Sequence, residues 1–161
     1  MLTHNQLSCF DTFGFIHLKQ LFSSEEITTI TQIAESIWIE ELGYKPALEE
    51  ELGITPFIER HPLLIAYMLE DNRLYNAFVQ LMGEDFIWSG SEGNRGFTKE
   101  FRAHHWHADR PGPFELDYLR IKVMIYLDPM QKAQGALRVI PGSHRLPLHA
   151  KLESFQTSHS T

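Results

Sequence analysis

The chain has 161 residues, 43% hydrophobic and 22% charged, ordinary proportions for one globular domain long enough to bury a core. Its 14 basic and 21 acidic side chains leave a formal charge of -7. Lys and Arg form no run, which excludes nucleic acid as the main partner, because phosphate binding needs clustered cations. The lone cysteine, Cys9, excludes an internal disulfide, and the longest apolar stretch, Pro62 to Leu69, is far too short to span a bilayer.

Met1 to Phe10 shows no basic segment leading into an apolar one, so no signal peptide is read there. Together with the single cysteine, this predicts a cytoplasmic protein without a membrane partner. Phe13 to Leu18 sets aromatic and β-branched residues around Gly14 and predicts a short strand. Ser23 and Glu26 have capping-box spacing, in which each side chain satisfies a free backbone N–H of the first helical turn. Ile27, Ile30, Ile33, Ala34, Ile37 and Trp38 follow at helical spacing, predicting an amphipathic helix from Ser24 to about Glu41 with its stripe in the core. Gly43 to Phe57 reads as an acidic loop with one helical turn at Ala47 to Leu52.

A second helical block is predicted from Pro62 to about Met82, capped midway by Asp71, turning Leu74, Phe78, Leu81 and Met82 inward and ended by Gly83. Beyond it the pattern changes to short strands. These are Phe86 to Trp88, Phe97 to Phe101, Tyr118 to Leu127 and Ala136 to Ile140, with a turn region at Ser89 to Gly96 and a Pro141-Gly142 turn. In Tyr118 to Leu127, alternation puts Leu119, Ile121, Val123 and Ile125 on one face and Arg120, Lys122, Met124 and Tyr126 on the other. The apolar face is expected to line the core, leaving Arg120 and Lys122 outside. A helical portion over 1–83, a strand-rich portion over 84–145 and a polar tail over 146–161 make a single α+β domain, with helices packed on a sandwich or jelly roll.

The densest polar chemistry is His104-His105-Trp106-His107-Ala108-Asp109. On an extended backbone His107 and Asp109 share a face roughly 6.5 Å apart, close enough for an imidazole and a carboxylate to converge on one ion. Borderline nitrogen with hard anionic oxygen is the mixture of 2-His-1-carboxylate Fe(II) sites. His105 shares that face too, but it and Asp109 stand roughly 13 Å apart as the outer pair, too far for a complete triad on one strand. A third ligand is expected from another strand.

Trp106-His107-Ala108-Asp109, the strand from Ile121 to Asp128 and Gly135-Ala136-Leu137-Arg138-Val139-Ile140-Pro141-Gly142-Ser143-His144-Arg145 together resemble the phytanoyl-CoA dioxygenase family. Phe10 to Glu26 also resembles this family's opening. The resemblance implies a cupin-like double-stranded β-helix that holds Fe(II) and uses 2-oxoglutarate and O2 to hydroxylate an unactivated C–H bond of a small organic substrate, releasing succinate. It implies His107 and Asp109 as the first two metal ligands, and the carboxylate of Asp109 favours hydroxylation over halogenation. His144 is assigned to the Pro-Gly-Ser-His turn and not to the metal.

The resemblance places the family's second His and a following cation on later strands than the chain's last residues, with His149 and His159 the only histidines after His144. The chain is therefore expected to be a C-terminally incomplete oxygenase. The alternatives are a truncated, inactive binding or assembly protein that self-associates through an open sheet edge, and a short enzyme completed by His149, His159 or a second subunit.

Overall fold

The structure, a computed structural model, describes residues 1–47, 50–96, 106–107, 109, 118–131, 136–146 and 148–152. It begins with helix α1 (His4–Phe13) and helix α2 (Ser24–Leu42). A strand β1 (Leu52–Ile54) and a 3-10 turn (Ile58–Arg60) follow. Next come helix α3 (Pro62–Ile65), a π-helical turn (Ala66–Glu70), helix α4 (Asn72–Met82) and strand β2 (Gly93–Arg95).

Helix α2 starts where its capping box predicts. Ser23 Oγ accepts from the Glu26 N–H at 3.2 Å, and Glu26 Oε2 accepts from the Ser23 N–H at 2.7 Å. Its stripe enters the core as expected: Ile30, Ile33, Ala34, Ile37 and Trp38 are buried, and Ile27 is half-buried against them. Helix α4 adds Leu74 and Phe78, α3 adds Leu64, and the π turn adds Met68. Burial of this cluster, which also takes in Ile54, Phe57 and Phe22, is the main favourable contribution to folding here.

The block predicted over Pro62 to Met82 is broken into three pieces. Asp71 takes an extended backbone (φ -70°, ψ 125°) and its carboxylate accepts from the Arg73 N–H at 2.7 Å, so it starts a new helix rather than continuing the old one. Gly83 ends α4 as predicted.

Strands β1 and β2 pair antiparallel, Leu52 with Arg95, Gly53 with Asn94 and Ile54 with Gly93. Among the described residues this is the regular sheet. It corrects two expectations, since Leu52 belongs to a strand rather than a helical turn, and the Ser89 to Gly96 region contains a strand. Gly93 explains why this strand is glycine-bearing: a Cβ there would stand 2.2 Å from Cδ2 of the buried Phe57 ring. Ser91 Oγ accepts the N–H groups of Phe57 and Ile58, at 3.1 and 2.8 Å, and so ties the two segments together.

The strand predicted over Phe13 to Leu18 does not form, since Phe13 ends α1, Gly14 caps it and residues 15–18 are irregular. Thr3 and Gln6 form a capping box at the start of α1, and Gly14 closes it in the left-handed conformation (φ 81°). Phe86 to Trp88 is also irregular. Phe86 meets the Tyr75 ring at a tilt and the Phe78 ring edge-on, and Trp88 Nε1 donates to Glu59 Oε1 at 2.7 Å, so side chains rather than a ladder hold the segment. Residues 118–127 and 136–140 form no regular strand; a strand requires hydrogen-bonded neighbours, whereas alternation in a sequence specifies only faces. The observed fold is helices with a small sheet, and a jelly roll is not seen among the described residues. The strand predicted over Phe97 to Phe101 lies outside them. Residues 148–152, in the predicted polar tail, are helical. Among the described residues no helix is long and apolar enough to cross a membrane.

Candidate metal centre

Trp106, His107 and Asp109 are exposed, and three later residues approach them or their support. His107 Nε2 lies 3.2 Å from Asp109 Oδ1, with side chains 62% and 48% exposed. Lys122 Nζ lies 2.6 Å from the other carboxylate oxygen, Oδ2. The Arg138 guanidinium sits over the Trp106 ring, 4.8 Å from its centroid, a cation–π contact that braces the residue preceding His107. Tyr126 Oη accepts the Leu137 N–H at 3.1 Å, joining the segments that carry Lys122 and Arg138.

The carboxyl of Asp109 is held below the usual carboxylate range, first by the hydrogen bond from Lys122, against a partial desolvation that works the other way. Coulombic attraction to Lys122 and then to His107 adds to the lowering. Asp109 is therefore an anionic oxygen donor at neutral pH.

One imidazole nitrogen and one carboxylate oxygen fit the needs of a borderline divalent ion. Two donors each about 2.1 Å from one ion, at right angles, stand about 3 Å apart. The observed 3.2 Å is within reach of that separation. Among the described residues, no group of three or more His, Cys, Asp and Glu side chains is placed to hold a metal. His149, one suggested third ligand, lies in the helical stretch 148–152 and does not join His107 and Asp109 in such a group. His105 and His159 lie outside the described residues.

His144 is occupied elsewhere. Its Nε2 is 3.1 Å from the Asp11 carbonyl oxygen, to which it donates, since a carbonyl can only accept. Arg145 Nη2 donates to the same oxygen at 2.8 Å, and the Gly142 N–H donates to the Phe13 carbonyl at 2.9 Å. The Pro-Gly-Ser-His turn thus docks on the C-terminal end of α1, in keeping with a turn role and not a ligand role.

Alternation placed Lys122 correctly but did not show what it reaches. It put Lys122 on the outer face, away from any ligand; Lys122 is indeed exposed, yet its long side chain reaches Asp109. The signal that could have pointed to it is the like placement of a cation on the polar face of the segment that follows the His-x-Asp.

The family model for phytanoyl-CoA dioxygenase matches residues 10–160. The chain belongs to the phytanoyl-CoA dioxygenase family. Two curated relatives are the ectoine dioxygenases of Bordetella parapertussis and Bordetella bronchiseptica, each 28% identical over 162 aligned positions that cover 89% of this chain and 50% of the relative. The chain spans about half the length of these relatives. No solved structure gives a significant match. Membership of the phytanoyl-CoA dioxygenase family agrees with the reading of Trp106 to Asp109 and Gly135 to Arg145 as family motifs, and it supports dioxygenase chemistry of the Fe(II) and 2-oxoglutarate type at the level of the family.

Proposed function

We propose that this chain carries part of the metal centre of an Fe(II)- and 2-oxoglutarate-dependent dioxygenase that hydroxylates an unactivated C–H bond of a small organic molecule. The observation that carries the reading is the convergence of His107 Nε2 and Asp109 Oδ1, 3.2 Å apart, inside a family motif. Fe(II) with 2-oxoglutarate, when bound, supplies activation of O2: one oxygen atom ends in succinate, the other in the new hydroxyl, and CO2 is released.

The chain's own residues have narrower tasks. His107 would hold the ion through Nε2, giving up to the ligand bond the contact this nitrogen makes with Asp109. Asp109 supplies negative charge that offsets part of the charge of a divalent ion and occupies a position that would otherwise be open to an anion. Trp106, stacked under Arg138, fixes the backbone just before His107. We read residues 118–127 and 136–140 as belonging to the double-stranded β-helix of one oxygenase domain, on the strength of the family match and their alternating pattern.

The test is succinate formation by the purified protein with Fe(II), ascorbate, O2 and 2-oxoglutarate. Ectoine is the first substrate to offer, since two relatives are ectoine dioxygenases. Succinate is expected from protein that carries the complete metal centre, third ligand included, and is expected to vanish in its His107→Ala and Asp109→Ala variants. Undiminished succinate in both variants would remove these residues from the metal centre.

A further inference from the structure

The two oxygens of Asp109 are not equivalent. Oδ1 faces His107 Nε2 at 3.2 Å, while Oδ2 is taken by Lys122 Nζ at 2.6 Å. A carboxylate on an exposed side chain would otherwise be free to present either oxygen, or both, to an ion beside the imidazole. A charged hydrogen bond of this length to one oxygen selects the rotamer and leaves the other as the single donor next to His107.

Lys122 is anchored for this purpose. It lies thirteen positions along the chain from Asp109. Its segment is pinned at two points, because Ile125 and Leu127 are half-buried against the core cluster formed by α2, α3 and α4. The lysine thus reaches Asp109 from a backbone whose own position is set by the core. An exposed ion pair of this kind adds little to stability by itself, so its consequence lies in the orientation of Asp109 and not in the melting temperature.

From this geometry we infer that Lys122 is a positioning residue, which orients Asp109 so that one oxygen stands beside His107 as a metal donor. The inference rests on the assignment of His107 and Asp109 as metal ligands and adds a third residue that acts through Asp109. Lys122 acts by donating a hydrogen bond, and its positive charge alone does not serve, since a cation near a divalent ion repels it.

A charge-matched comparison separates the two effects. In a Cys9→Ser background, Lys122→Cys is alkylated either with 2-bromoethylamine, which restores an ammonium with N–H donors, or with 2-bromoethyltrimethylammonium, which restores the charge without a donor. Mn(II) affinity is then read from the electron paramagnetic resonance signal of the free ion. The ammonium form is expected to recover the affinity of the Cys9→Ser protein, and the trimethylated form to bind roughly three- to tenfold more weakly. Equal affinity of the two forms overturns the role of Lys122. A His107→Ala protein measured in parallel distinguishes that result from failure of the ligand assignment: if it binds Mn(II) as tightly as its parent, the assignment falls and the role of Lys122 falls with it.

Discussion

At the scale of single residues, glycine and arginine do work that their frequency does not announce. Gly93 is buried where its missing side chain lets the Phe57 ring lie against β2. Gly93→Ala should force that ring or the strand to move, costing about 1–3 kcal/mol, the usual range for overpacking a filled site. Thermal unfolding followed by circular dichroism checks this, with no drop in midpoint as the contrary result. Arg73 is the other case. Its guanidinium donates to both carboxylate oxygens of Asp71 and both of Glu26, and to the Leu21 carbonyl at 2.8 Å, and it lies 4.9 Å from the centre of the Phe22 ring. Nothing in the spacing of Arg73 distinguishes it from the chain's other arginines. Its importance arises only because two helix starts meet at it.

At the scale of elements, that meeting point couples the N-terminal ends of α2 and α4. Glu26, the capping-box residue of α2, has its pKa lowered from 4.5 to about 2, chiefly by the hydrogen bond from Arg73 and next by the Ser23 N–H. Asp71, the cap of α4, is lowered for the same leading reason. A folded-state pKa below the unfolded one contributes stability that is complete above the unfolded value and is lost as pH falls through the folded one. The contribution of Glu26 should therefore be present at pH 7 and fade between pH 4.5 and about 2. Arg73→Met should lower the melting midpoint at pH 7, because it removes the donor shared by the two helix starts. It should also flatten the acid loss of stability in that window. Melts of both proteins at pH 7, 4 and 3 test the pair of effects; parallel acid profiles would refute the coupling.

At the scale of the whole molecule, the contact between the first helix and the turn at 141–145 spans nearly the full chain. Gly14 makes it possible twice over. It closes α1 with φ 81°, a conformation other residues adopt at a cost, and a Cβ there would stand 2.3 Å from His144 Nδ1. Gly14→Val should release the turn from α1 while the core of α2, α3 and α4 stays folded. Hydrogen exchange should then quicken across His4–Phe13 and leave the amides of Ile30 to Trp38 protected. Unchanged exchange in α1 would show that the turn does not hold it.

What the amino-acid order determined on its own is local or family-wide. The capping box at Ser23 and Glu26, the apolar stripe of α2, the Asp71 cap and the stop at Gly83 all depend on neighbours within a turn or two, so their spacing suffices. Family membership was equally legible, because the Trp106–Asp109 and Gly135–Arg145 patterns are contiguous stretches of sequence that need no tertiary information to read. The start of α1 is equally local, in the capping box of Thr3 and Gln6, although no helix was expected there. Tertiary structure alone decided the rest. Whether an alternating segment becomes a strand depends on which backbone lies beside it, which is why Leu52–Ile54 pairs with Gly93–Arg95 and residues 118–127 have no ladder. Which cation faces Asp109 depends on where a distant backbone is anchored and how far a lysine reaches. Alternation assigned Lys122 to a face, and packing of its neighbours Ile125 and Leu127 against the core brought it to the carboxylate.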